Sequence, residues 1–223
     1  MQDLEDNILA THRLLVAIRG TGSGCCLVNI SSAAVYGEGS GKPITEDEPL
    51  HPVSPYGISK LAAELYVTLY AQMYGLSTSS LRLFPVFGPR LRKQVVWDFM
   101  NRLAANSSQL LIQGDGTEER GLNHVANVVG AILLVAERGS MTGEVYNAAA
   151  KDSISIDQLA RILSAAMGAS PALHHTGKSR IGHARSWQAD ISRLDALGYR
   201  PAVEFEEGLA DTVAWFKAKD RAV

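Results

Sequence analysis

The sequence predicts an α/β fold, in which a partial doubly wound parallel sheet is followed by a smaller C-terminal α+β lobe. Segments with helical spacing of apolar residues alternate with short apolar segments of strand length. The short segments are bounded by turn residues, as buried parallel strands are. Alternating helices and strands imply right-handed crossovers. We place the sheet part in residues 1–88 and the smaller lobe in residues 89–223, with residues of about 120–150 returning to the sheet.

The elements follow in order along the chain. Residues 3–19 have helical spacing, and residues 25–31 form the first buried strand. Ser54 and Pro55 are the preferred cap and first residue of a helix, which we expect to run to Tyr74. The remaining strands and helices are predicted at residues 78–83, 95–105, 110–113, 125–138, 143–147, 155–167 and 206–218.

Composition excludes several classes of protein. A net charge of −2 leaves no basic field that would attract nucleic acid. No apolar stretch approaches the roughly 18 residues of a membrane span, and the acidic N-terminus lacks the order of a signal peptide. Cys25 and Cys26 are adjacent and are expected to be small buried residues, so we expect a cytoplasmic protein. His174 and His175 are expected in a solvated loop without a metal.

Tyr56 and Lys60 lie four residues apart at the start of the long helix, and therefore on one helical face. A phenol is a poor base at neutral pH unless a neighbouring cation favours the phenolate. The pair can therefore act as an acid and base, with Tyr56 moving the proton. On its own this spacing is more often a solvated helix face. However, Ser31 and Ser32 end the buried strand, where open α/β sheets bind their ligands.

Three consecutive motifs resemble those of the extended short-chain dehydrogenase/reductase family, whose members act on sugar nucleotides. They are Ile30-Ser31-Ser32-Ala33-Ala34-Val35-Tyr36-Gly37, Ser54-Pro55-Tyr56-Gly57-Ile58-Ser59-Lys60, and Leu81-Arg82-Leu83-Phe84-Pro85-Val86-Phe87-Gly88-Pro89-Arg90. Weaker similarity continues through residues 114–120, 143–147, 180–183 and 189–199. The resemblance implies a Rossmann-like domain with a substrate lobe.

The resemblance also implies roles for individual residues. The catalytic set is Ser32, Tyr56 and Lys60. The cofactor is NAD rather than NADP, and its contacts are Ser31, Tyr56, Lys60, Phe84 and Pro85. The substrate is a nucleotide-diphosphate sugar, and its contacts are Ser32, Arg120, Arg180, the backbone of Leu111, Ile112 and Gln113, and His183. Without the resemblance, each arginine is equally consistent with a surface salt bridge. No metal is implied.

The sequence departs from the family pattern in two informative ways. It lacks the unit that holds the adenosine half of NAD in the family, which is a strand followed by a Gly-x-x-Gly-x-x-Gly turn and a helix. We therefore expect an N-terminally truncated form. In addition, Ala33 and Ala34 stand where 4,6-dehydratases of the family carry Asp-Glu, which disfavours dehydration. Pro85, Gly121, Ala126, Asn127 and His183 also differ from common family residues, which leaves the nucleotide and sugar open.

Two functions follow from these features. The first is an NAD-dependent epimerase that resembles UDP-hexose 4-epimerases, with reductases and decarboxylases of the family still open. The second is a non-catalytic remnant that binds nucleotide sugars or oligomerises. Relatives commonly dimerise through two helices, which correspond here to residues 3–19 and 55–74. We expect a homodimer through these helices.

Overall fold

The computed structural model describes residues 1–22, 24–38, 43–177 and 186–219, without the side chains of Ser186, Trp187 and Lys219. It confirms an α/β fold with a parallel sheet. Ten strands are assigned in these ranges: β1 (Leu27–Ser32), β2 (Thr78–Leu83), β3 (Val86–Phe87), β4 (Gln109–Ile112), β5 (Glu119–Arg120), β6 (Asn123–His124), β7 (Thr142–Ala148), β8 (Ile154–Ser155), β9 (Ala172–His175) and β10 (Ser186–Trp187).

Seven α-helices are assigned in the same ranges. They are α1 (Ala10–Thr21), α2 (Pro55–Tyr74), α3 (Gln94–Ala105), α4 (Val125–Arg138), α5 (Ile156–Met167), α6 (Ser192–Ala196) and α7 (Phe205–Lys219). A π-helical segment, Leu4–Leu9, leads directly into α1. The predicted helices at 55–74 and 125–138 are confirmed to the residue, because local caps set their ends. Ser54 Oγ accepts a hydrogen bond from Gly57 N, and Gly75 ends α2 with a left-handed φ of 66°.

The main sheet has the strand order β1-β2-β7, and both pairings are parallel. Helix α2 packs on one face, where Thr78 Oγ1 donates to the carbonyl oxygen of Val67. Helix α4 covers the other face, where its Ala131 and Val135 join a buried cluster with Leu81. Successive residues of a strand point to opposite faces, so the central strand β2 is buried on both sides.

A second cluster of buried apolar residues lies outside the main sheet. Helices α3, α5 and α7 pack there with the parallel pair β4–β9. The helices predicted at 155–167 and 206–218 correspond to α5 and α7, and their residues Leu159, Leu163, Leu209 and Phe216 are buried in this core. Ser155 and Gln158 form a capping box at the start of α5.

Two predictions about small segments are wrong. Cys25 and Cys26 are exposed and not buried, because the strand ladder begins only at Leu27, whose N–H donates to Ser77. His174 and His175 belong to strand β9 and not to a loop, because β4 offers them a parallel partner. His175 also contacts Asp157, with 2.7 Å between Nε2 and Oδ1. Among the described residues, no group of side chains could hold a metal ion.

Candidate active site

Helix α2 presents the two predicted acid–base residues at its first turns. Ser54 caps the helix and Pro55 occupies its first turn, so that Tyr56 and Lys60 lie on one face. The Tyr56 side chain is 42% exposed. Lys60 Nζ lies 5.9 Å from the centre of the Tyr56 ring. The helix therefore holds an ammonium group next to an accessible phenol.

Lys60 is anchored to the end of strand β1. Its Nζ donates a hydrogen bond of 3.0 Å to the carbonyl oxygen of Ile30. Burial lowers the pKa of Lys60, and the carboxylate of Asp3 acts in the opposite direction. This partly buried cation lies near the carboxyl end of the sheet, where ligands of open α/β sheets bind.

Ser32 is the last residue of β1 and the cap of a short 3₁₀ turn, Ala33–Val35. Its Oγ accepts a hydrogen bond of 3.2 Å from Ala34 N. Helix α2 packs closely on this turn at Gly57: a Cβ there would lie 2.6 Å from the carbonyl oxygen of Ala34. The absence of a side chain at Gly57 thus lets the start of α2 approach the turn that follows Ser32.

Sequence reasoning missed two neighbours of this group. Asn7 lies in the π-helical segment, and its Nδ2 donates to Ser59 Oγ at 2.9 Å. Ser59 Oγ in turn donates to the carbonyl oxygen of Tyr56. Asp3 influences Lys60, as described above. Neither residue belongs to a recognisable motif, although π-helical turns often occur at functional sites.

The predicted cofactor contacts lie along the carboxyl ends of β1 and β2. Ser31 Oγ is buried and has no hydrogen-bond partner among the described residues, which is unusual for a buried hydroxyl. Phe84 follows β2 and is buried, and Pro85 comes next in the chain. A polar ligand at this edge, such as a nicotinamide ribose, would give the Ser31 hydroxyl a partner. The residues present thus fit the nicotinamide half of NAD.

Arg120 lies in β5, which pairs with β8 and with β10. Burial lowers the pKa of Arg120, and Glu118 opposes this effect. Its Nη1 donates to the carbonyl oxygen of Glu119. A planar guanidinium is the group best suited to bidentate contact with a diphosphate. Arg180 and His183, the other predicted diphosphate and ribose contacts, lie outside the described residues.

The three predicted base contacts are placed differently from one another. The side chain of Ile112 is buried in the second cluster, whereas Leu111 and Gln113 are exposed. The carbonyl oxygens of Leu111 and Ile112 already accept hydrogen bonds, from Arg102 and from the backbone of Thr176. The structure therefore ties Lys60, which shares a helical face with Tyr56, to the strand that Ser32 ends. Leu111, Ile112, Gln113 and Arg120 lie in or next to β4 and β5.

Comparison with known proteins agrees with this geometry. The family model for GDP-mannose 4,6 dehydratase matches residues 2–212. The solved structure of the UDP-N-acetylglucosamine 4-epimerase of Methanobrevibacter ruminantium has 32% identity and a TM-score of 0.88, covering 97% of this chain and 70% of that chain. The chain belongs to the extended short-chain dehydrogenase/reductase family. This family consists of NAD-dependent sugar-nucleotide epimerases and dehydratases.

Other members of the family include both reaction types. The UDP-glucose 4-epimerase of Mycolicibacterium smegmatis is 31% identical, covering 98% of this chain and 71% of that protein. The dTDP-glucose 4,6-dehydratase DesIV of Streptomyces venezuelae was solved with NAD; it is 30% identical with a TM-score of 0.85, covering 98% of this chain and 67% of that chain. The chain spans about two thirds of the length of several curated relatives.

Proposed function

We propose that this chain carries the catalytic and substrate-binding portion of an NAD-dependent 4-epimerase that acts on a nucleotide-diphosphate sugar such as a UDP-hexose. The observation that supports this proposal is that Lys60, next to Tyr56 on α2, is bonded to Ile30 near the carboxyl end of β1, the strand that Ser32 ends. An acid–base pair at this edge suits the reversible oxidation of a sugar hydroxyl.

In this proposal Tyr56 removes the proton from the sugar hydroxyl while the carbon-bound hydrogen leaves as hydride. NAD, when bound, supplies the hydride acceptor. Lys60 holds its ammonium group beside the Tyr56 ring, and Ser32 holds the reacting oxygen. The keto intermediate then rotates within the site. Tyr56 returns the proton to the oxygen while hydride returns to the opposite face of the carbonyl carbon. Oxidation and reduction balance over the cycle.

Epimerisation is favoured over 4,6-dehydration because of two residues that follow Ser32. Ala33 is buried and Ala34 donates only its backbone N–H to Ser32. A methyl group cannot transfer a proton, so these positions cannot supply the acid and base that elimination of water requires. We accordingly propose that the product keeps its hydroxyl groups.

The nucleotide end of the substrate is assigned to the second lobe. Arg120 and Arg180 would bind the diphosphate, and exposed backbone near Gln113 would face the nucleotide base. The described residues contain no glycine-rich turn between a strand and a helix that could hold the adenosine half of NAD.

A homodimer through α1 and α2 is part of the proposal. Large apolar side chains on these helices are exposed, including Leu14, Val16, Leu65, Leu69 and Met73. Large exposed apolar patches often mark protein–protein contacts, and we propose that a second copy covers these side chains. No described helix is both long and apolar enough to span a membrane. The free thiols at Cys25 and Cys26 favour a reducing, cytoplasmic location.

The alternative function is a non-catalytic protein that binds nucleotide sugars or oligomerises. It is favoured by the exposed α1–α2 surface and by the incomplete cofactor site. The two functions are separated by incubating the chain with UDP-glucose and NAD and identifying products by chromatography. Conversion to UDP-galactose supports the epimerase, and a 4-keto-6-deoxy sugar would overturn the preference against dehydration. Calorimetric binding of UDP-glucose without turnover, with or without NAD, would favour the alternative.

A further inference from the structure

A buried ionic network lies beside the candidate catalytic residues, and the proposed reaction does not use it. Its centre is Arg82 on the central strand β2, with 4% of its side chain exposed. Nε and Nη2 donate to the Glu64 carboxylate, with a shortest distance of 2.6 Å. Nη1 donates to the Tyr36 hydroxyl at 2.8 Å and to the carbonyl oxygen of Glu46 at 2.9 Å. One guanidinium therefore joins three separate segments.

Two of these segments carry the candidate catalytic residues. Glu64 is four residues beyond Lys60 and eight beyond Tyr56, on the same face of α2. Tyr36 immediately follows the 3₁₀ turn that Ser32 caps. Arg82 itself pairs in register with Ser31 across the sheet. The network thus connects the strand end with Ser32 to the helix with Tyr56 and Lys60.

Tyr36 and Glu46 also attach the network to strand β7. The Tyr36 hydroxyl donates to Asn147 Oδ1 at 2.7 Å, and Asn147 is a fully buried residue of β7. Asn147 N donates to the Glu46 carboxylate at 2.7 Å. Burial raises the pKa of Tyr36 to about 12, so the hydroxyl remains a donor. Tyr36 therefore cannot shift without breaking buried hydrogen bonds on two sides.

The geometry of the Arg82 guanidinium explains why its hydrogen bonds can fix the position of α2 on the sheet. The sheet face under α2 also carries Thr78, whose hydroxyl donates to the carbonyl oxygen of Val67 in α2. A planar guanidinium donates in fixed directions, and a buried charge that loses one partner is strongly disfavoured. The Arg82–Glu64 pair thus holds α2 at one position along the sheet.

We propose that Arg82 is a positioning residue that couples the turn after Ser32 to the start of α2, through Tyr36 on one side and Glu64 on the other. This inference deepens the proposed function and rests on it. The coupling keeps the Ser32 hydroxyl and the Tyr56 phenol at the separation that a single sugar oxygen requires. Glu64 and Tyr36 contribute through Arg82 and need not touch the substrate.

The coupling is tested by hydrogen–deuterium exchange on the full chain and on the variants Tyr36→Phe and Glu64→Gln. In Y36F we expect faster exchange in residues 55–62, which Tyr36 does not contact through its hydroxyl. In E64Q we expect faster exchange in residues 31–38. Tyr199→Phe is the control, because Tyr199 is equally buried in the same cluster but is not bonded to Arg82. Faster exchange confined to the segment of each substituted residue would overturn the inference.

An activity measurement accompanies the exchange experiment. We expect kcat to fall on the order of 10- to 100-fold in Y36F, as for a misplacement of about 1 Å, with KM little changed. Arg82→Lys keeps the positive charge but loses the planar guanidinium, so we expect it to show a similar fall in kcat. Turnover by the unaltered chain tests the proposed function, whereas the exchange result decides separately whether Arg82 couples the two segments. A rise in KM alone would contradict positioning of the reacting groups.

Discussion

Gly57 is the point at which α2 approaches the turn after Ser32 most closely, and its replacement by alanine tests the packing of the candidate site. The added Cβ would lie 2.6 Å from the carbonyl oxygen of Ala34 and 3.0 Å from Pro52 Cβ. Ordinary contact begins at 3.4 Å, so the helix start must move by about 0.8 Å. Overpacking of this kind costs about 1–3 kcal/mol, and a displacement near 1 Å can reduce a rate by roughly 100-fold.

Gly130→Ala is the matched control, because Gly130 is also a helical glycine but has nothing within 4 Å of its Cβ position. Both substitutions gain the same helix propensity of about 1 kcal/mol. The difference in the free energy of unfolding between the two variants therefore isolates the contact at Ala34. We expect G57A to be less stable than G130A by about 1–3 kcal/mol in urea denaturation and to lose most turnover. Equal stability of the two variants would refute the close approach of α2 to this turn.

Four other variants test separate parts of the site. Lys60→Met should reduce turnover by about 10²–10⁴-fold, the usual contribution of acid–base catalysis; steady-state rates near those of the unaltered chain would contradict its role. Arg120→Ala should weaken UDP binding by roughly 10- to 100-fold in calorimetry, the value of a charge-assisted hydrogen bond, and an unchanged Kd would place the diphosphate elsewhere. Burial lowers the pKa of His124, so the unfolded chain takes up a proton first and stability should fall as the pH drops below about 6.5. His124 caps α4, and His124→Asn keeps a side chain that can cap. In this variant the urea midpoint should change less between pH 7 and pH 5 than in the unaltered chain; the same pH dependence in both would show that His124 is not responsible. Leu69→Lys should convert a dimer to a monomer in sedimentation, and a persistent dimer would point to another surface.

Local signals predicted the helices well. Ser54, Pro55 and Gly75 set the ends of α2, because a cap, a proline and a left-handed glycine act within one turn of the chain. The same holds for Ser155 and Gly168 at α5. Strands of two residues, such as β5 and β8, were not predicted because two residues show no periodicity. The exposure of Cys25 was mispredicted for a related reason: an apolar run does not show where its pairing partner begins.

In the candidate site, too, local features could be predicted from the sequence and long-range contacts could not. Tyr56 and Lys60 could be paired from spacing alone, because four residues make one turn of a helix. The contributions of Asn7 and Arg82 could not, since their partners are 52 and 18 residues away in the sequence. Nothing in the local sequence pattern indicates such a partner. An arginine within an apolar strand does not by itself show which residues it binds.

The sequence by itself predicted most of the helices, the strands of the main sheet and the family, because caps, periodicity and motif spacing are local properties of the chain. Only the tertiary structure decided which groups surround those residues: the carbonyl oxygen of Ile30 at Lys60, the turn of Ala34 against Gly57, and the Arg82 network under both. These contacts depend on how α2 lies across β1 and β2. That arrangement is set by packing and buried hydrogen bonds between residues far apart in the chain, which no local pattern encodes.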